Sequence, residues 1–233
     1  MKQHPAAPPA QQPGTVVVDG DRIEVWPVGQ RLGQLGEPTV KFTEFPDTDR
    51  YHPQLLAKML SLEAEGRLTE RLFKGGCGTK LRGLPEWRSP AARLINARAH
   101  RLCREVLQTE EIHLDDAWGN VYRHGDYCMP HSHLRSVASV VYFLSLGEAV
   151  PNDPLAGSFC IGDPRAQVCC PIEGDRMTHA ITPEPCAGTM IIFPSQLVHY
   201  VNPYPGNEPR ITLSWNFTRT RLSGHARDDW QRA

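Results

Sequence analysis

No stretch of the chain is apolar for long enough to cross a bilayer. The opening MKQHPAAPPAQQPG also lacks the hydrophobic segment of a secretory signal, so a cytoplasmic location is expected. Neither sign of charge dominates: 25 Lys and Arg stand against 26 Asp and Glu, for a formal charge of −1. That balance gives no reason to expect nucleic acid or a membrane surface as a partner. The seven cysteines (Cys77, Cys103, Cys128, Cys160, Cys169, Cys170, Cys186) contain no CxxC pair. Their odd number and spacing argue against both a disulfide framework and a cysteine zinc site. They read as small core residues, with Cys128, three positions before a histidine, the one to watch. The glycine-rich KGGCGTKLRGLPEW (74–87) has neither the GKS/T ending nor the preceding apolar strand of a phosphate loop, and is expected to be irregular.

What is present is the composition of a globular protein, 40% hydrophobic and 22% charged, with no internal repeat. Residues 1–14, rich in Pro, Ala and Gln, form an expected disordered tail. Residues 15–111 read as strands followed by bracing helices. TVVVDGDRIEVW has two short strands about Asp19-Gly20, and VKFTEF reads as another. A helix is predicted over 53–65, with Leu55, Leu56, Met59, Leu60 and Leu62 on one face. A second follows Ser89 as N-cap and Pro90 as first residue. Its apolar stripe is Leu94, Ile95, Leu102, Cys103, Val106 and Leu107, while Arg93, Arg98, Arg101 and Arg104 read as solvated charges.

From residue 112 to 220 the texture changes to short β-like runs broken by Gly and Pro: HLDDAWGNVYRHG, SVASVVYFLSL, GSFCIGD, AGTMIIFP, LVHYV and RITLSWNFT. Many short strands with such turns imply a sandwich or barrel. A polar tail, 221–233, closes the chain. The fold class is α+β, mainly β.

Three histidines stand out, His131 and His133 in MPHSHLR and His199 in FPSQLVHYVNP. Residues i and i+2 of a strand point the same way, so an H-x-H pair can turn two imidazoles toward one metal, with a third from a distant strand. Imidazole suits Fe, Zn, Cu and Ni alike, so these ligands do not select the ion. Ordinary hydrogen-bonded or surface histidines would give the same letters. Arg210, Thr212, Ser214 and Asn216 share one face of RITLSWNFT, and Arg210 read alone is a surface ion pair.

Context adds more. The segment YRHGDYCMPHSH (122–133), with Tyr122, Gly125 and His131 at fixed spacing, resembles the approach to the iron site of prolyl-4-hydroxylase-like 2-oxoglutarate oxygenases. Arg210 follows His199 by eleven positions, as a basic residue follows the second histidine in that family. Trp118-Gly-Asn120, VVYFL, GDPR and FPSQLVH come in the order seen in a group of bacterial 2OG-Fe(II) oxygenases. The resemblance covers about 118–217. It implies a double-stranded β-helix (jelly roll, cupin-like) and an iron(II)- and 2-oxoglutarate-dependent dioxygenase. The reaction implied is hydroxylation of an unknown prime substrate with O₂, releasing succinate and CO₂. The implied roles are His131, His133 and His199 on the metal, with no catalytic residue beyond them. Arg210, Thr212 and Tyr122 would take the cosubstrate, and Asn216 the substrate. The alternative reading of Tyr122 is a packing residue. His133 departs from the family pattern, which has a carboxylate there; Asp126 or Asp163 is a candidate replacement. Alternatives are a three-histidine dioxygenase independent of 2-oxoglutarate and a non-catalytic binding module. The sequence leaves the oligomeric state open.

Overall fold

The computed structural model describes residues 14–34, 40–66, 69–70, 78–162 and 180–219. Most of the N-terminal tail, Cys77, Asp163, Cys169, Cys170 and the polar C-terminal stretch lie outside them. The chain begins with a hairpin, β1 (Thr15–Val18) and β2 (Asp21–Glu24). Its turn places Asp19 and Gly20 both at positive φ, as a two-residue hairpin loop matched to strand twist requires. Strands β3 (Gly33–Gln34) and β4 (Lys41–Glu44) precede helix α1 (His52–Glu65). Then come β5 (Thr69–Glu70), β6 (Thr79–Arg82) and helix α2 (Pro90–Leu107). The remainder is strand: β7 (His113–Tyr122), β8 (Cys128–His131), β9 (Ala138–Leu146), β10 (Phe159–Gly162), β11 (Ala180–Ile181), β12 (Thr189–Pro194), β13 (His199–Val201) and β14 (Arg210–Thr218).

Antiparallel pairing builds a large sheet in the order β3-β4-β12-β9-β14-β7-β6-β5 and a small one, β11-β10-β13-β8. The two face each other as a jelly roll. The large sheet is covered on both sides, so β9 and β12 read as nearly unbroken apolar runs, whereas β14 alternates polar with apolar residues. Met190, Ile192, Val140, Tyr142, Leu213 and Trp215 point to the helices and the hairpin. Ile191, Phe193, Val141 and Phe143 point between the sheets, where they meet Phe159, Ile161 and Val201 of the small one.

The helices brace the back of the large sheet. Leu55, Met59 and Leu62 of α1 are buried, as are Leu94, Ile95, Leu102 and Cys103 of α2, while Leu56, Leu60, Val106 and Leu107 pack partly against them. Ser89 caps α2, its side chain accepting a hydrogen bond from the Ala92 N–H. Two expectations need correction. Arg98 is not a solvated charge: it is fully buried, paired through Nη1 and Nη2 with Asp47 at 3.0 and 2.7 Å, and it donates to the Val25 and Glu24 carbonyls. A buried guanidinium is tolerated only when its donors are met, and here they are. The glycine-rich stretch is regular at its described end, because Lys80 and Leu81 find partners in Asn120 and Gly119 of β7. Pairing with a long strand outweighs local glycine content.

Candidate active site

The site forms between the sheets. Strands β8 and β13 pair so that His131 lies directly opposite His199. His133 comes from the turn beyond β8, not from the strand itself, and its backbone N–H is held by the Ser195 carbonyl at 2.8 Å. The ring centroids lie 4.3 Å apart for His131–His199, 5.0 Å for His131–His133 and 5.2 Å for His133–His199. One nitrogen from each can be chosen so that all lie within 4.8 Å of one another.

Two of the rings are fixed by their own backbone. Nδ1 of His131 lies 2.8 Å from the Met129 carbonyl, and Nδ1 of His199 lies 2.9 Å from the Leu197 carbonyl. A carbonyl can only accept, so Nδ1 carries the proton and Nε2 keeps a free lone pair. Burial is also the leading reason all three titrate low. His199 falls to about 3, with His131 adding to the effect, and His133 falls to about 4, with His131 and then Lys80 adding. His131 is lowered by burial against the opposing pull of its Met129 bond, and Lys80 adds to the lowering. Neutral imidazoles with aimed lone pairs suit a divalent cation. Among the described residues no carboxylate joins this cluster. Asp126 instead turns back to accept the Arg123 N–H at 2.7 Å, and Asp163 lies outside the described residues.

The cavity in front of the histidines has a volume of about 800 Å³. Arg210, Thr212, Ser214 and Asn216 line it from β14, and Asp116, Trp118, Asn120 and Tyr122 from β7. Arg210 is only 3% exposed, with its guanidinium 5.2 Å from the Tyr122 ring and 5.8 Å from that of Phe143. Its Nη1 is buried without a hydrogen-bond partner. Burial lowers its pKa, yet an arginine side chain stays cationic, so a whole charge sits in the wall of the cavity. Asn216 Oδ1 accepts from Ser139 Oγ at 2.8 Å, and Ser139 meets Ser195 at 2.9 Å. Cys128 also lines the cavity, its sulfur 3.7 Å from Nδ1 of His131. Of the other described cysteines, Cys103 and Cys160 are core residues as expected, whereas Cys186 is exposed.

Sequence reasoning gave no role to Asn120, Lys80 or Arg82, which also line the cavity. The signal for Asn120 was its alternation with Trp118 and Tyr122. Lys80 and Arg82 were hidden in the glycine-rich stretch expected to be irregular.

Residues 116–216 match the profile of a family described as "Putative 2OG-Fe(II) oxygenase". Over that segment, somewhat under half of the chain, the sequence is similar to the 2OG-Fe(II) oxygenases, and it contains His131, His133, His199 and Arg210. A prolyl-4-hydroxylase from Pseudomonas putida is similar in fold at 19% identity and a TM-score of 0.53, covering 78% of this chain and 88% of its own. HygX from Streptomyces hygroscopicus, crystallised with nickel, 2-oxoglutarate and hygromycin B, matches at 14% identity and 0.57, covering 78% and 84%. The epimerase SnoN from nogalamycin biosynthesis matches at 13% and 0.59, covering 76% of each chain. At these identities the structural likenesses speak to the fold, a jelly roll, and the family profile to the activity. A comparison with curated protein sequences gives no match. Among the described residues no helix is long and apolar enough to cross a membrane.

Proposed function

We propose that His131, His133 and His199 hold iron(II), that Arg210 binds the distal carboxylate of 2-oxoglutarate, and that the domain hydroxylates a C–H bond of a prime substrate. The observation that carries this reading is the unmet Nη1 of buried Arg210. Leaving a buried charge unpartnered costs several kcal/mol, on the order of 3–5, so its retention in the cavity wall is accounted for by an anion that arrives from solution. The guanidinium fork suits a carboxylate through two parallel hydrogen bonds. Thr212, next along the same face, can add a hydroxyl donor, and Tyr122 borders the same corner.

The donor set fits iron(II): His131, His133 and His199 would hold it through three neutral nitrogens, leaving it able to take further ligands. When bound, the metal with 2-oxoglutarate supplies O₂ activation, one oxygen atom passing to succinate as CO₂ leaves and the other to the substrate. The protein's own part is to orient and to exclude water. The carbonyls of Met129 and Leu197 hold two imidazoles in the ligating tautomer. Arg210 fixes one end of the cosubstrate, and Phe143, Phe159 and Phe193 keep that end dry. Burial of Arg210 in the same cavity as the histidines favours this reading over a dioxygenase independent of 2-oxoglutarate.

Arg210→Ala is expected to weaken 2-oxoglutarate binding by about 2–5 kcal/mol while metal content stays close to wild type. His199→Ala is expected to lose metal and turnover together. Anaerobic titration, following the visible charge-transfer band and bound iron, reads both. Unchanged 2-oxoglutarate affinity in the Arg210 variant would remove the cosubstrate assignment.

A further inference from the structure

Asn216 is 5% exposed and stands on the cavity wall, at the other end of β14 from Arg210. Its carboxamide has two unlike ends, and a chain of hydroxyls decides which of them faces the cavity. Ser139 Oγ lies 2.8 Å from the amide on one side and 2.9 Å from Ser195 Oγ on the other. Ser195 is fully buried, and Ser139 is the only partner of its hydroxyl among the described residues. Each serine has one proton to place. With the amide oxygen toward Ser139, Ser139 donates to it, Ser195 donates to Ser139, and both protons are met. With the amide nitrogen there, the chain would run the other way and end on a Ser195 proton buried without an acceptor, the costlier arrangement. The oxygen therefore accepts from Ser139. Nδ2 keeps both of its protons, with no partner among the described residues, and they face the cavity.

The cosubstrate cannot meet this donor. Arg210 and Asn216 share one face of a strand and are six residues apart, about 20 Å at a rise of about 3.3 Å per residue. A five-carbon diacid held at Arg210 ends well short of that. Between them Ser214 accepts from Asn120 Nδ2 at 3.2 Å, and so keeps its own hydroxyl proton for the cavity. Its row partner Trp118 stands 6.1 Å, ring to ring, from His133. Ser195, whose hydroxyl orients the Asn216 amide, also holds the His133 N–H through its carbonyl at 2.8 Å. The free amide thus lies on the His133 side of the cavity, away from Arg210.

We propose that Asn216 Nδ2 is a recognition donor for the prime substrate, which presents a carbonyl or ether oxygen to it. This rests on the oxygenase reading above and deepens it to a substrate class. Such an oxygen brings lone pairs and no proton, so it meets Nδ2, with Ser214 next on the same face as a second donor. A substrate offering only donors there, such as an ammonium group, would bury donor against donor. The acceptor oxygen fixes one end of the substrate and so selects which neighbouring carbon is turned toward His133 and the metal.

The test uses the full chain, isotopically labelled at nitrogen and loaded with Zn(II) and 2-oxoglutarate, a combination that oxidises nothing. Acetophenone, anisole and ethylbenzene are probes of similar bulk with a carbonyl, an ether and no acceptor. The Asn216 amide resonances are those missing from Asn216→Asp, which keeps an acceptor for Ser139 and removes the donor. Acetophenone or anisole should bind more tightly than ethylbenzene and move these resonances, the better of the two identifying carbonyl or ether. In Asn216→Asp that probe should bind at least about five-fold more weakly, the scale of one neutral hydrogen bond, and lose its advantage over ethylbenzene. The ranking of the three probes in wild type needs no variant to fold. Bound zinc and 2-oxoglutarate affinity are measured on the same samples, so a failure of the oxygenase reading appears there and not in the probe data. Equal binding of ethylbenzene, no binding by any probe, an acceptor that binds without moving the Asn216 resonances, or an advantage that survives the substitution would overturn the proposal. So would a loss of 2-oxoglutarate affinity in Asn216→Asp, which would give the donor to the cosubstrate.

Discussion

Asn120 makes three hydrogen bonds, and together they fix its orientation. Trp118 Nε1 can only donate, so the atom it meets at 3.0 Å is the amide oxygen. Nδ2 then faces Thr212 Oγ1 and Ser214 Oγ, both at 3.2 Å. A hydroxyl that accepts from Asn120 keeps its own proton for another partner, so Thr212 is left as a donor. On the proposed function that donor meets the cosubstrate. Asn120→Ala should therefore weaken 2-oxoglutarate by about 1 kcal/mol, the usual worth of one hydrogen bond, with metal affinity intact. Calorimetric titration of both ligands into the variant checks it; equal losses for the two would mean a general loosening instead. Tyr204 offers a contrast at the same scale. Its hydroxyl accepts the Glu148 N–H at 2.7 Å and donates to the Glu208 carbonyl, in a socket walled by Gly147, Gly157 and Gly206. Tyr204→Phe should lower unfolding free energy by about 1–3 kcal/mol, measured in urea.

Strand β7 does two jobs on alternate residues. Trp118, Asn120 and Tyr122 line the cavity, while Ala117 and Val121 join the core against the helices. Gly119 belongs to the second set, and a Cβ there would come within 2.4 Å of Met59 Cε and 2.9 Å of Trp87 Cη2. The Met59 and Trp87 side chains pack directly onto the strand's backbone at this point. Gly119→Val should destabilise by about 1–3 kcal/mol through overpacking, and Met59→Ala should recover part of that loss. Thermal melts of the two single variants and the double variant decide whether the sites couple.

This element also shows what the letters could and could not reveal. The alternation of β14 announced the cavity face from Arg210 to Asn216, because a strand has only two sides. The helices were legible because Ser89-Pro90 and the leucine spacing act locally. Arg98 was not, since its partner Asp47 lies 51 residues away and the carbonyls it meets belong to β2 and the residue after it. Nor was β6, whose pairing comes from β7 and not from its own glycine-rich surroundings. His131 and His199 were readable as a pair only because their neighbours resemble a known family. Their mutual register is a long-range fact. The two carbonyls that set their tautomers follow from the bends of the backbone, which residue types do not disclose.

At the scale of the whole molecule, stability should depend on acid through histidines far from the cavity. His100 is buried against Phe217, and burial, aided by Arg104, lowers it to about 4. His52, held at 2.5 Å by the Tyr142 hydroxyl, is lowered to about 4, first by burial and then by Arg98. Between pH 6.5 and 4 the unfolded chain binds protons that the folded one refuses, so stability rises with pH across that window. It is complete above 6.5 and is lost as pH falls toward 4, His100 alone accounting for up to about 3 kcal/mol. Between pH 6.5 and 4 the melting temperature of wild type should fall more steeply than that of His100→Gln, the two running parallel above 6.5. Parallel curves throughout would exclude His100 as the source. Asp47 acts at the same scale by tying α2 to the loop before α1. Asp47→Ala strands Arg98 and should cost about 3–5 kcal/mol.

Among the described residues, strand β8 stands at the end of the small sheet, hydrogen-bonded on one side only, by β13. Strand β9, between β12 and β14, is bonded on both. Amide protons of β9 should then exchange with deuterium only when the whole domain opens, whereas those of β8 can exchange through local fraying. One imidazole of the cluster is thus carried by a strand able to breathe while the barrel stays closed. A cation bridging His131 to His199 would stitch that border to its neighbour. Exchange at Met129 and His131 should slow on addition of metal far more than exchange in β9, so the cluster's occupancy can be read from the tempo of its own backbone.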